Sequence, residues 1–287
     1  MRRGGARRTG VALVLLLLAL LAGTFVYGLR EAVSPPLRRE ARLALPGWPR
    51  GTPPLRVALL SDIHLGNRAM TPARLHAIVA SVNAAHPDIV LLAGDFVAGR
   101  RSDGATAKAA ALSAPLSRLR APLGIVAVLG NHDYWTDPGA VRAALAKAGV
   151  TVLANQAVAR GPLALLGVDD AFSGHDDVPA TLASHVRGVP VVLSHSPDVV
   201  HKLGAGFPLV LAGHTHCGQV VLPWYGPVTT RAPLAGWKPL YDPRYRCGLV
   251  QSDGRRVVVT AGLGSGTTPI RLGAPPDWWL LTLGPRR

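Results

Sequence analysis

The stretch Leu55-Arg56-Val57-Ala58-Leu59-Leu60-Ser61-Asp62-Ile63-His64 decides how the chain is read. It opens as a short, almost wholly apolar run and ends abruptly in Asp-x-His. An apolar run of this length that does not alternate with polar residues fits a strand buried on both faces, as in a parallel sheet. An Asp and a His directly behind such a strand lie at its carboxyl end, and in open α/β sheets that edge is where ligands bind.

Four further apolar runs end in the same way. Residues 88–94 lead into Gly94-Asp95, and residues 124–130 into Gly130-Asn131-His132-Asp133. Residues 190–194 lead into His195, and residues 209–213 into Gly213-His214-Thr215-His216. Runs at 151–154 and 163–168 complete the candidate strands. Helical stretches fit between many of them. Thr71-Pro72 opens one that reaches about residue 85, and residues 105–119 form another that Pro115 must kink or break. Asp137-Pro138 supplies an N-cap and a first-turn Pro for a helix ending near Gly149. The alternation predicts βαβ units, a largely parallel sheet and an α/β fold class. After Gly218 the pattern changes to short strands and Pro/Gly turns, with 257–260 and 279–283 the clearest strands. A second, more antiparallel sheet packed on the first is expected there. Gly262-Leu263-Gly264-Ser265-Gly266 has no following Lys-Ser/Thr and reads as a turn, not a phosphate-binding loop.

Convergence of the strand ends would gather Asp62, His64, Asp95, Asn131, His195, His214 and His216 at one point. A single Asp-x-His or Gly-Asp is usually chance or a turn, but five such endings in order are not. Carboxylate, imidazole and amide donors without thiolate suit manganese, iron or zinc, with manganese favoured. Seven donors exceed what one open catalytic ion needs, so two divalent metal ions are expected. A carboxylate can bridge two cations about 3.5–4 Å apart, the spacing that clamps the attacking and leaving oxygens in phosphoryl displacement. His76, His86, His175, His185 and His201 have no paired ligand nearby and read as structural or solvent-facing. Asp169-Asp170 and Asp176-Asp177 read as solvated loop acids.

Ser61-Asp62-Ile63-His64, Gly94-Asp95, Gly130-Asn131-His132-Asp133, His195 and Gly213-His214-Thr215-His216 resemble the five signature blocks of the calcineurin-like metallophosphoesterases. The resemblance spans about residues 55–220. The longer strings Gly-Asn-His-Asp-Tyr-Trp and Gly-His-Thr-His-Cys-Gly-Gln-Val, with Gly262-Leu263-Gly264 and Pro269-Ile270-Arg271 downstream, are most similar to the membrane-anchored bacterial branch of the YaeI, YkuE and LpxG type. It implies a four-layer αββα sandwich of two mixed sheets flanked by helices. It also implies that Asp62, His64, Asp95 and His216 hold one ion and Asp95, Asn131, His195 and His214 the other, with Asp95 as the bridge. The implied reaction is in-line attack on phosphorus by a metal-activated hydroxide, with His132 stabilising the developing charge or protonating the leaving oxygen. The protein phosphatase branch has an acid three residues after the bridging Asp and an Arg before the Gly-Asn-His string. Here those positions are Ala98 and Leu129. That argues against phosphoprotein substrates and leaves Asp133 or a backbone carbonyl to orient His132.

The rest of the chain bears on where this chemistry takes place. Residues 1–10 carry Arg2, Arg3, Arg7 and Arg8, and residues 11–29 carry no charge, which meets the length of a membrane-spanning helix. A retained anchor is favoured over a secretory signal, whose apolar core is usually shorter and for which Leu21-Ala22-Gly23 is a weak cleavage site. Arg7-Arg8 also resembles a twin-arginine export signal. Residues 30–54, rich in Pro and Arg, read as a semi-rigid linker to a catalytic domain at 55–287. Arg30, Arg38, Arg39 and Arg42 nearly cancel the positive-inside bias, and the domain is expected outside the cytoplasm, anchored in the bacterial inner membrane. Across 287 residues, 31 Lys+Arg against 16 Asp+Glu give a formal charge of +15, compatible with an anionic partner, although GC-rich coding alone would also enrich Arg. Cys217 and Cys247 are too few for a disulfide framework or a zinc site, and packed free thiols are favoured over one bridge.

The expected function is hydrolysis of a phosphodiester or pyrophosphate bond, in a lipid-linked or nucleotide-lipid substrate such as UDP-2,3-diacylglucosamine. Aromatic residues Trp135, Trp224, Tyr225 and Trp237 would then line an acyl groove or rest at the interface, or else pack the second sheet. A nuclease of the same chemistry is the alternative within the enzyme class, and the anchor makes nucleic acid an awkward partner. A noncatalytic binding or sensor module is the alternative outside it, and the full ligand set argues against that. A metallo-β-lactamase-type hydrolase lacks its His-x-His-x-Asp-His string here.

Overall fold

The computed structural model of the chain describes residues 3–99, 104–184, 186–232 and 236–285. Arg2 and His185, both weighed from the sequence, lie outside the described residues. The elements in chain order are α1 (Arg3–Val33), β1 (Leu37–Ala44), β2 (Leu55–Leu60), α2 (Pro72–Ala84), β3 (Ile89–Ala93), α3 (Ala105–Ala110), α4 (Ser113–Leu116), β4 (Ile125–Val128), α5 (Asn131–Thr136), α6 (Pro138–Lys147) and β5 (Thr151–Val152). They continue with β6 (Gln156–Arg160), β7 (Leu163–Gly167), α7 (Val178–Ala183), β8 (Val189–Leu193), β9 (Leu209–Ala212), β10 (Val221–Leu222), β11 (Gly226–Pro227), β12 (Arg231–Ala232), β13 (Lys238–Pro239), β14 (Gly248–Ser252), β15 (Arg255–Val259) and β16 (Asp277–Gly284).

Two six-stranded mixed sheets form the body, one ordered β1-β16-β2-β3-β4-β5 and the other β14-β15-β9-β8-β7-β6. Alternation along each buried strand divides its side chains between two interiors. Val57 and Leu59 of β2 face the second sheet, where Leu165, Val191 and Leu211 meet them. Ala58 and Leu60 face outward, under Leu75 and Ile78 of α2 and Val141 and Leu145 of α6. On the far side, Leu166, Val192 and Val257 are covered by Val178 of α7 and by Val199 and Val200 in a short 3-10 turn. The result is the four-layer αββα arrangement, helices and sheets together, that the resemblance implies.

Local signals set the helix boundaries as expected. Thr71 caps α2 by accepting from the Arg74 amide, and Asp137 caps α6 by accepting from the Ala140 amide, each with Pro in the first turn. The helix expected at 105–119 breaks into α3 and α4, with Pro115 inside the second.

Two sequence expectations are corrected. The strands near 163, 190 and 209 belong to the second sheet, because β6 and β7 form an antiparallel hairpin that ends the first sheet at β5. The second sheet is therefore parallel through its β15-β9-β8-β7 centre and antiparallel only at its edges. The stretch expected as a linker also contains β1, which runs parallel to β16 from Leu37↔Asp277 to Ala44↔Gly284. Pro and Arg content masked an alternation in which Leu43 and Leu45 enter the inter-sheet core while Arg38 and Arg42 stay out of it.

Helix α1 stands apart from this body over most of its length. Within Gly10–Val33 an apolar window with a mean hydropathy of 2.5 lies entirely outside the protein core. At about 1.5 Å per residue this segment is long enough to cross a hydrocarbon layer of about 30 Å. Its last turns are different: Gly28 and Ala32 are buried against the body. A Cβ on Gly28 would lie 2.5 Å from Ile270 Cγ2, so only glycine admits this approach.

Asp277 links three strands at the sheet junction. Its buried carboxylate accepts from Arg39 Nε at 2.5 Å, from Thr260 Oγ1 at 2.6 Å and from the Ala261 amide at 2.7 Å. Asp277→Ala is predicted to destabilise the chain by on the order of 3 kcal/mol, since it leaves buried donors without an acceptor. Denaturant unfolding in detergent checks this, and a loss below about 1 kcal/mol would contradict the role given to Asp277.

Candidate metal centre and active site

Each candidate donor follows a strand through a tight backbone turn. Asp62, His64, Asp95, His214 and His216 all hold left-handed φ values, from 49° to 69°. For residues with a Cβ this conformation is unfavourable by on the order of 1 kcal/mol each and persists only where the surroundings impose it. Here they do so by hydrogen bonding between neighbouring turns. The Asp62 amide donates to Gly94 O at 2.9 Å, the His64 amide to Asp95 O at 3.0 Å, and the Gly213 amide to His195 O at 3.0 Å. Gly94 is required at this junction because a Cβ would stand 2.7 Å from His195 Nδ1 and 2.8 Å from the Gly130 amide.

All seven predicted donors meet in one place and form two overlapping groups. In the first, His64 Nε2 lies 3.1 Å from His216 Nε2, and Asp62 Oδ1 lies 3.4 Å from His216 Nε2. In the second, His195 Nε2 lies 3.1 Å from both Asn131 Oδ1 and His214 Nδ1. Asp95 Oδ2 belongs to both, at 3.4 Å from His64 Nε2 and 3.3 Å from His195 Nε2. Its other oxygen accepts from the His132 amide at 2.8 Å.

These groups fit divalent cations. Ligands about 2.1 Å from a common ion stand about 3.0 to 3.4 Å apart in octahedral or tetrahedral geometry, the spacing seen here. Asp62 Oδ1, which faces His216 Nε2, is buried without a hydrogen-bond partner, a costly state for a group with no ligand to bind. Carbonyls select the tautomers. His195 Nδ1 meets Ala93 O at 2.7 Å, which leaves Nε2 as the donor towards the centre. His214 is reversed, with Nε2 on Leu240 O at 2.8 Å and Nδ1 facing inward.

The electrostatics agree. Burial lowers His64 and His214 to about 3 and pushes His216 well below its ordinary range, so these three rings present lone pairs. Burial raises the Asp62 carboxyl to about 7. Burial would also raise Asp95, but the charges of His195 and then His132 outweigh it and hold that carboxyl well below the usual range. His195 is the counterpart: burial opposes its charge, and Asp95 overcomes burial and holds it well above.

His132 is oriented by Gly99, whose carbonyl lies 2.9 Å from Nδ1, so the backbone carbonyl serves where the phosphatase branch places an acid. Asp133 has another task. Its carboxyl accepts from the Phe96, Val97 and Gly130 amides and fastens the start of α5 to the turn after β3. Burial, then the charge of Asp95, raises it to about 8.

The cleft in front of the donors has a volume of about 510 Å³, with Trp135 and Phe172 as an apolar wall and Arg231 among its lining residues. Sequence reading missed Phe172, which lies between two acidic pairs and packs 4.6 Å from the His214 ring. It also gave no role to Arg271. This guanidinium is fully buried, donates to Gly264 O, Ala274 O and Ala261 O, and stands 3.1 Å from His216 Nδ1. Burial lowers it to about 10, so it remains charged at neutral pH and opposes protonation of His216.

Other expectations need correction. Asp169 and Asp170 are buried, not solvated: Asp169 accepts from Tyr134 and Asp170 from the Ser173 and Phe172 amides, which shapes the loop that presents Phe172. Asp177 caps α7 and Asp176 pairs with Lys202. His86, His175 and His201 are exposed and His76 is half-buried, apart from the centre. Cys217 and Cys247 are not free thiols but a disulfide. Thr215 Oγ1 donates to Arg246 O, and Arg246 Nη1 to Cys217 O, and this lacing brings the two Cα atoms to 4.7 Å.

The family model for calcineurin-like phosphoesterases matches residues 55–218. The chain is 31% identical over 244 residues to the uncharacterized metallophosphoesterase YkuE of Bacillus subtilis, covering 82% of this chain and 81% of that protein. It is 32% identical over 289 residues to a transmembrane protein with metallophosphoesterase domain from Danio rerio, covering 94% of this chain and 61% of that one. Among solved structures it matches the nuclease MPE of Pseudomonas putida with a TM-score of 0.34 and 24% identity, over 58% of this chain and 64% of that chain.

The disulfide lies directly beside His216 and spans 30 residues of sequence, for which chain entropy gives about 3 to 4 kcal/mol. Replacing both cysteines with serine is predicted to cost about that much in denaturant unfolding, and reductant should lower the melting temperature of the unaltered chain only. A melting temperature of the unaltered chain that ignores reductant would contradict the bridge.

Proposed function

The chain belongs to the calcineurin-like phosphoesterase family, and on that premise we propose that this dinuclear metal-dependent hydrolase cleaves a phosphodiester or pyrophosphate bond in a lipid-linked substrate. Asp62, His64, Asp95 and His216 would hold one divalent cation, and Asp95, Asn131, His195 and His214 the second. The observation that carries this division is Asp95 Oδ2, shared between His64 Nε2 and His195 Nε2 at 3.4 and 3.3 Å. Manganese is favoured, and iron or zinc would suit the same nitrogen and oxygen donors. When bound, the cations lower the pKa of water and neutralise charge on the phosphoryl group.

The protein's own groups supply orientation and proton control. With Nδ1 held by Gly99 O, His132 can direct Nε2 at a phosphoryl or leaving oxygen, to stabilise its charge or to protonate it. Asp95 fixes His132 through the backbone amide as well as serving both donor groups. Arg231 offers a cation to the phosphate, while Trp135 and Phe172 give the remainder of the substrate an apolar wall.

The substrate class rests on three features together: an N-terminal helix apolar enough to cross a membrane, a cleft with an apolar wall, and a lone Arg among the described lining residues. They favour a phosphorylated lipid headgroup, for which UDP-2,3-diacylglucosamine is the specific candidate, over a nucleic-acid strand that needs an extended basic groove. The disulfide supports a domain on the oxidising side of the bacterial inner membrane, since such bonds persist there and are rare in the cytosol.

The test is hydrolysis by the full chain in detergent of a generic phosphodiester and of UDP-2,3-diacylglucosamine, with manganese or with chelator. Chelator is expected to abolish turnover, and the lipid nucleotide to be preferred. Asp95→Ala should lose both bound metal and activity. His132→Ala should keep its metal and lose about 10²- to 10³-fold in kcat. Turnover that survives chelation, or its absence in a metal-loaded chain, would overturn the reading.

A further inference from the structure

We propose that the β10–β11 hairpin is a second membrane contact, its tip seated in the interfacial layer of the bilayer that α1 crosses. Trp224 and Tyr225 at that tip are 105% and 74% exposed, and Leu222 and Val228 beside them are 39% and 49% exposed. Buried Trp48, Trp278 and Trp279 show where indoles go in this fold when they serve packing. Paired Trp and Tyr side chains, apolar in body and polar at one edge, concentrate at the headgroup level of membranes.

The hairpin is tied to the foot of α1 through three residues. The Arg271 amide donates to Gly28 O at 3.0 Å and the Gly273 amide to Glu31 Oε2 at 3.1 Å. Between them, Leu272 donates to Gln219 O at 2.9 Å and accepts from the Val221 amide at 2.8 Å. One short segment therefore grips the last turns of the apolar helix and the base of the hairpin at once. From Val221 to Trp224 the chain can reach about 10 Å, comparable to the headgroup layer of about 5–8 Å on each side of the hydrocarbon. Exposed Arg30 on the helix adds a cation suited to anionic headgroups.

The contact has a consequence for the cleft. Gln219 and Val220 at the hairpin base line it together with Asp95 and His132. Seating the tip in the interface holds the mouth of the cleft at the membrane surface, where a headgroup can enter without leaving the bilayer. This inference rests on α1 lying in a membrane and deepens the lipid-substrate reading, but the contact itself is measured without any substrate.

The experiment uses the full chain reconstituted into phosphatidylethanolamine–phosphatidylglycerol vesicles whose acyl chains are brominated close to the headgroup. Tryptophan emission should be quenched, and Trp224→Phe should remove most of the quenchable part, because Trp224 is the indole at the hairpin tip, whereas Trp237, 65% exposed, lies outside the hairpin. Trp224→Ala with Tyr225→Ala should leave turnover of a water-soluble phosphodiester within about twofold and lower turnover of a vesicle-borne substrate about tenfold. Unchanged quenching in Trp224→Phe, with the chain incorporated, overturns the hairpin contact alone. A chain that stays in the aqueous phase overturns the anchor and this proposal together, while loss of all turnover with quenching intact overturns only the enzymatic reading.

Discussion

The Asp95 carboxylate is the constraint on which the site depends. One oxygen stands between His64 and His195, and the other holds the amide of His132. It can do so only because Gly94 lets the turn after β3 pass close to His195 and Gly130. A buried carboxylate in such a position is unfavourable by itself, and the charge of His195 is what keeps it ionised without a metal. Cations would take over that role and displace the His195 proton. The left-handed turns at Asp62, His64, His214 and His216 belong to the same arrangement: strained backbone holds the donors at ligand spacing before any ion arrives.

The two sheets contribute unequally to this centre. The turns after β2, β3 and β4 of the first sheet bring Asp62, His64, Asp95 and Asn131, while β8 and β9 of the second bring His195, His214 and His216. Inter-sheet packing of residues such as Leu59, Leu91, Val191 and Leu211 therefore sets the donor distances. The buried guanidinium of Arg271 and the Cys217–Cys247 bridge then fix the His216 turn from its far side. Arg271 also places that turn within one residue's reach of the foot of α1, so the anchor and the centre share a support.

The site was legible in the sequence because its chemistry is local: each donor sits directly behind an apolar run. The fold was legible as layers, but strand partnership was not. Nothing in the runs near 163, 190 and 209 says that they form a separate sheet, since parallel strands buried on both faces look alike in either. Strand β1 was hidden because its partner β16 is over 200 residues away in sequence and its outward residues Arg38, Glu40 and Arg42 are charged. The disulfide was missed for the same reason: spacing alone does not show that Thr215 and Arg246 lace their segments together. Asp169 and Asp170 looked solvated because acids in a loop usually are, and only the surrounding donors show otherwise. The carbonyl of Gly99, which replaces a missing acid in orienting His132, belongs to the backbone and has no side-chain signature.

The central claim is that this buried donor set is built for two cations sharing Asp95. Elemental analysis of the folded full-length chain, saturated with manganese and then freed of loose metal, measures it most directly. The account predicts two ions per chain, and fewer than two in Asp95→Ala with the fold retained. A folded, metal-saturated chain that holds none or only one would contradict it.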